Sequence, residues 1–161
     1  MNFKNIKKTF VVAEIGVNHE GNINLAKRMI NLASKAGVDA VKFQTFIPEH
    51  YVSSEDQSRL KKLREFQLNH NQFNELSKFA RKKGLIFFST PFDLKSAKFL
   101  NKIQSIFKIS SGDNNFYPLI DVCTFHKVLR ALTFVWRIFC HRLHMYILCL
   151  SLIDVCSSLL L

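Results

Sequence analysis

The first 121 residues contain no cysteine, and the last forty contain no glycine, proline, asparagine, glutamine or glutamate. The first absence excludes a disulfide scaffold or a thiolate metal centre over most of the chain. The second removes most of the residue types that build turns, while 27 of those forty residues are apolar. All four cysteines (Cys123, Cys140, Cys149 and Cys156) and the only tryptophan, Trp136, lie in the last forty, with no C-x-x-C pair and no metal-ligand spacing. Residues 1–121 and 122–161 therefore read as two unlike sequences. Acidic residues are also scarce, 12 against 23 Lys and Arg, giving a net charge of +11. No zinc-finger spacing, RNA-binding aromatic signature or repeated basic stripe accompanies that charge, so nucleic acid is not expected as a partner. Single runs such as Lys61-Lys62 and Arg81-Lys82-Lys83 read as solvated helix faces. Met1 to Thr9 lacks the apolar core of a signal peptide, and a cytoplasmic location is expected.

What is present in 1–121 is alternation. Thr9 to Gly16 reads as a buried strand, and Ile23 to Ala36 carries apolar residues at helical spacing, with Asn22 as N-cap and Gly37 just past the end. Val38 to Phe46 is a second strand. A polar connection follows to about Leu68, with a short helix around Arg59–Glu65. Asn71 to Lys83 is a second amphipathic helix closed by Gly84. Leu85 to Ser89 is a third strand, Leu94 to Asn101 a short helix, Ile106 to Ser110 a fourth strand, and Tyr117-Pro118 opens a fourth helix. Strand–helix repetition implies a parallel sheet with right-handed crossovers. A doubly wound nucleotide-binding sheet announces itself with a Gly-rich first turn. Gly16-Val17-Asn18-His19-Glu20-Gly21 lacks that spacing, and no Walker motif is present. A (β/α)8 barrel fits better.

Each strand carries polar residues toward its C-terminal end: Glu14, Lys42 with Gln44, Ser89-Thr90, and Lys108 with Ser110-Ser111. Strand side chains alternate, so Val41 and Phe43 face one way and Lys42 and Gln44 the other. In a barrel the polar set points inward, at the end where barrel enzymes place their sites. Lys42 and Lys108 would meet there beside the Thr90 and Ser111 hydroxyls. Two buried ammonium groups without matching carboxylates are costly, and an anionic ligand offsets that cost. Lysines, hydroxyls and backbone N–H groups suit a phosphate and a carboxylate. Glu14 and Asp113 are candidates for handling a proton or water.

The segments Val12-Ala-Glu-Ile-Gly-Val-Asn-His-Glu-Gly21, Val41-Lys-Phe-Gln-Thr45, Phe88-Ser-Thr-Pro-Phe92 and Phe107-Lys-Ile-Ser-Ser-Gly-Asp113, followed by Asn115 and Tyr117-Pro-Leu-Ile120, together resemble the sialic acid synthase family over residues 10–121. The resemblance implies a TIM barrel in a dimer. It implies condensation of phosphoenolpyruvate with an open-chain N-acetylated amino sugar, such as N-acetylmannosamine, to give a nonulosonic acid (neuraminate, legionaminate or pseudaminate) and phosphate. It also implies a divalent ion, Mn²⁺ or Mg²⁺, that polarises the sugar aldehyde. Lys42, Gln44, Thr90, Lys108 and Ser111 match phosphoenolpyruvate-binding positions. Glu14 matches an acidic residue beside the metal and aldehyde, Asp113 an acidic position near the reacting carbon, and Asn18 and His19 positions near the sugar. The family's two metal-binding histidines have no counterpart; His126, His141 and His144 sit in no matching context, and no metal ligand is assigned to this chain.

The resemblance stops at Asp121. The sequence reading is therefore an N-terminal half-barrel of about four βα units (1–121), joined to an apolar, helical tail (122–161). That tail reads as frameshifted or otherwise unrelated sequence. A membrane anchor is the weaker reading, because His144 and Asp154 interrupt the apolar run from Leu143 to Leu161. A helical cap on a half-barrel is the third. Four units cannot close an eight-stranded barrel, so the chain alone is expected to lack synthase turnover. The competing functions are a non-catalytic fragment and another phosphoenolpyruvate-using barrel synthase.

Overall fold

The structure is a computed structural model that describes residues 9–124 and, beyond them, 137–140 and 145–150. Strand β1 (Phe10–Gly16) leads to helix α1 (Ile23–Lys35), strand β2 (Ala40–Thr45), two short helices α2 (Pro48–Tyr51) and α3 (Gln57–Phe66), and helix α4 (His70–Lys82). Strand β3 (Ile86–Pro91), helix α5 (Leu94–Leu100), a 3-10 turn (Ser111–Asp113) and helix α6 (Tyr117–Thr124) follow, then strands β4 (Arg137–Cys140) and β5 (Met145–Leu150). Caps explain why the helices begin where they do. Asn22 Oδ1 accepts from the amides of Asn24 and Leu25 at 2.9 and 3.1 Å, satisfying donors that α1 itself cannot. Asn69 and Gln72 form a reciprocal capping box at α4. Gly37 and Gly84 take φ +74° and +77° just past α1 and α4, where a side chain would be strained.

Strands β1, β2 and β3 are parallel neighbours in the order β3-β2-β1, so chain order and spatial order coincide. The two faces of this sheet differ. Ala13, Ile15, Val41, Phe43 and Phe87 pack with Ala26, Met29, Ile30 and Ala33 of α1 and with Phe73, Leu76 and Ala80 of α4. Phe43 stacks on Phe87 (ring centroids 5.4 Å apart) and meets Phe73 edge-on at 6.3 Å. On the other face Phe10, Val12, Ala40, Phe88 and Ile106 form a smaller apolar cluster. Period-two alternation thus splits each strand into a helix-facing and an inner set, as the sequence indicated for β2.

Two expectations are corrected. The fourth strand, expected over Ile106–Ser110, is reduced to one parallel bridge between Ser89 and Phe107. The reason is local: the Gln104 side chain takes both backbone groups of Ser89, accepting from its N–H at 2.8 Å and donating to its C=O at 3.0 Å. A side-chain amide therefore fills a place that a continuing ladder would use. Of the described residues of the tail, expected to be helical, 122–124 close α6, whereas Arg137–Cys140 and Met145–Leu150 are strands. Strand β5 pairs antiparallel with β1, from Phe10 opposite Leu150 to Glu14 opposite Tyr146, and β4 pairs antiparallel with β5. An unpaired β1 edge offers a row of donors and acceptors, and the tail's Ile, Phe and Tyr content suits a strand. Residues 1–8 lie outside the described residues, as do His126, His141 and His144 and most of the 143–161 run. Among the described residues no helix is long and apolar enough to cross a membrane.

Phe43 is fully buried between both helices and β3. Phe43→Ala is expected to cost about 3–5 kcal/mol in a urea unfolding series. A loss under about 1 kcal/mol would show that this layer does not carry the core.

Candidate functional site

The inner face becomes polar toward the C-terminal ends of the strands. The register sets Glu14 opposite Lys42 and Gln44 opposite Thr90. Glu14 and Lys42 form a direct ion pair, with side chains only 13% and 8% exposed. A bulge between Glu14 and Gly16 ends the regular pairing, with Gly16 at φ +56°. A side chain at Gly16 would be strained there, and its Cβ would stand 3.2 Å from Glu14 Oε1. That oxygen is buried, with the Gly16 amide near it and no hydrogen bond of full geometry.

Lys108 follows Phe107, the residue bridged to Ser89, and so lies beside Thr90 of β3. It is half-buried. Burial and then the charge of Lys42 push its ammonium below the ordinary lysine range, with Glu14 and Asp113 opposing. Burial likewise pushes the Glu14 carboxyl up, against the attraction of Lys42 and Lys108. Asp113, half-buried in the 3-10 turn, is pushed up by burial and held down by Lys108. Thr90 Oγ1 is buried with no hydrogen-bond partner among the described residues. A buried hydroxyl without a partner beside two lysines and two carboxylates with shifted pKa values makes this end a candidate site.

The structure thus brings Glu14, Lys42, Gln44, Thr90, Lys108 and Asp113 to one end of the inner face. Ser111 is exposed at the start of the 3-10 turn, with Ser110 capping that turn through the Gly112 amide at 3.4 Å. Asn18 is half-buried in the turn after β1, where its N–H donates to Ile15 O at 3.0 Å. His19 has a different setting. It is 1% exposed, its ring lies 6.0 Å from that of Phe43, and its Nδ1 accepts from the Gly21 amide at 3.1 Å. Since Phe43 belongs to the helix-facing layer, His19 supports the turn from that side. Gly21 is required in the same turn, because a Cβ there would lie 2.2 Å from Glu65 O. The residue that sequence reasoning missed is Gln104; its only signal was a glutamine between Ile103 and the Ser105-Ile106-Phe107 segment.

A divalent ion was expected from the resemblance. Among the described residues no three His, Cys, Asp or Glu side chains converge, so Glu14 and Asp113 alone do not make a set of donors for one.

The NeuB family profile matches residues 29–129. The chain is 38% identical over 129 residues to the N,N'-diacetyllegionaminic acid synthase of Campylobacter jejuni, covering 71% of this chain and 39% of that protein. It is 31% identical over 125 residues to human N-acetylneuraminate-9-phosphate synthase, covering 70% and 35%. Among solved structures, the N-acetylneuraminic acid synthetase of Leptospira borgpetersenii, in complex with citrate, superposes with a TM-score of 0.75 at 30% identity, over 81% of this chain and 47% of that one. The chain therefore spans less than half the length of these proteins.

Burial lowers the His19 pKa to about 4 from 6.5. The folded state favours neutral imidazole, so its contribution is complete above about pH 6.5 and lost as pH falls through about 4. The full contribution is about 3 kcal/mol. Urea midpoints measured from pH 7 to pH 4 should fall more steeply for the unaltered chain than for His19→Asn; parallel curves would show that His19 does not titrate in the folded state.

Proposed function

The chain belongs to the NeuB family, and from that premise we propose that residues 10–121 form the phosphoenolpyruvate-binding part of a nonulosonic acid synthase, built as the first units of a TIM barrel. One observation carries the reading: Lys42 and Lys108 share one end of the inner face with only Glu14 and the half-buried Asp113 as carboxylates, beside the orphaned Thr90 hydroxyl. The two lysines and two carboxylates balance formally, but Lys42 repels Lys108 and the Thr90 hydroxyl has no partner among the described residues. A phosphate and a carboxylate suit two lysines and a hydroxyl.

In this reading Lys108 and Thr90 hold the phosphate side, and Lys42 the carboxylate. Glu14 is paired with Lys42 and its carboxyl is pushed up by burial, which suits it to exchange a proton with the oxygen of a sugar aldehyde as the new carbon–carbon bond forms. Asp113, which interacts with Lys108, would orient water at the reacting carbon. The second substrate is an N-acetylated amino sugar, by likeness to the synthases named above. Mn²⁺ or Mg²⁺ would need donors from outside the described residues. A dimer is the expected assembly, and a cytoplasmic location follows the sequence reading.

The test is calorimetric titration of this chain with phosphoenolpyruvate. Saturable binding is expected, without phosphate release on adding N-acetylmannosamine. Lys108→Ala should weaken it about 10- to 100-fold, the range for a charge-assisted hydrogen bond. Glu14→Gln should bind at least as tightly, because it removes a competing negative charge. Unchanged affinity in Lys108→Ala would remove Lys108 from the site.

A further inference from the structure

Lys108 depends on a segment that has almost no ladder. One bridge, Ser89 to Phe107, ties it to the sheet. The chain before it is anchored elsewhere. Ile103 O accepts from Ser77 Oγ of α4 at 3.2 Å and from the Arg81 guanidinium. The Gln104 amide N–H donates to Leu100 O of α5 at 3.0 Å. The Gln104 side chain then reaches β3 and pairs with both backbone groups of Ser89, at 2.8 and 3.0 Å. It is 8% exposed, so neither bond competes with bulk water, and a broken one would leave a buried group unpaired.

Ser89 immediately precedes Thr90, and Phe107 immediately precedes Lys108. The clamp therefore acts one residue before Thr90 and four residues before Lys108, on the strand residue to which Phe107 is bridged. We infer that Gln104 is a positioning residue of the anion site: by holding Ser89 through its N–H and C=O, it fixes the spacing of Thr90 and Lys108 on the inner face. The inference rests on the anion-site reading for its ligand but not for its geometry. A residue that merely seals the β3 edge would contribute to stability alone. A positioning residue must also set where the Lys108 ammonium sits relative to Lys42 of β2, Glu14 of β1 and Asp113 of the 3-10 turn, the charged groups that Lys108 feels.

Gln104→Met keeps the volume and removes both bonds. Gln104→Glu keeps an acceptor for the Ser89 N–H and removes the donor to its C=O. Two readouts apply to each folded variant below its melting temperature. In lysine-methyl NMR, the Lys108 titration of the unaltered chain should lie below the ordinary lysine range. In Gln104→Met it should move up toward that range, as the segment drifts from Lys42 and from its buried setting. By calorimetry, phosphoenolpyruvate affinity should fall about tenfold in Gln104→Met and by less in Gln104→Glu. An unmoved Lys108 titration with unchanged affinity, alongside a lowered melting temperature, would overturn the inference and leave Gln104 as an edge seal. Loss of cooperative folding in both variants would do the same. If the unaltered chain binds no phosphoenolpyruvate, the ligand reading fails and the Lys108 titration alone decides the role of Gln104.

Discussion

Two ammonium groups share one side of a small sheet, and the structure is arranged around the cost of keeping them there. Lys42 is buried and relieved by Glu14, directly across the parallel pair. Lys108 is half-buried, repelled by Lys42 and only partly compensated by Glu14 and Asp113. An uncompensated charge in a partly dry setting is tolerable only if it loses its proton, moves to water or receives an anion. Burial and Lys42 lower the Lys108 pKa, and in the proposed function an anion relieves the remaining cost. The same tension explains why Glu14 sits at a bulge with Gly16 beside it: the carboxylate needs room to stay against Lys42.

Rigidity is supplied from the opposite face. The helix-facing layer, from Ala13 to Phe87, is apolar and closed by α1 and α4. It fixes β1, β2 and β3 in register, and that register decides which polar side chains meet. A one-residue slip would carry Lys42 into the layer now held by Phe43. Site chemistry and core packing are therefore two readings of one alternation.

Much of this was legible in the sequence. The Asn22 cap, the glycine stops at 37 and 84, and the opposition of Val41 and Phe43 to Lys42 and Gln44 follow from local rules, and the structure has them. What was not legible depends on contacts between distant segments. The Gln104 clamp joins residues fifteen apart through a side chain that imitates backbone. No periodicity reports such a bond, so Ile106–Ser110 read as a strand. The resemblance put His19 near the sugar, and its burial was not legible because it depends on Phe43, on another strand. The tail pairs with β1 because that edge is open to it, a fact about the sheet that the tail's own composition does not contain.

The claim on which the account turns is that Lys42 and Lys108 receive one dianionic ligand together. The most direct test is a phosphoenolpyruvate titration of the chain followed by lysine-methyl NMR, with every lysine resolved. The account predicts that the Lys42 and Lys108 signals move together and saturate along one binding curve, while exposed lysines such as Lys61 and Lys82 stay in place. Movement confined to the exposed lysines, or without saturation, would contradict it.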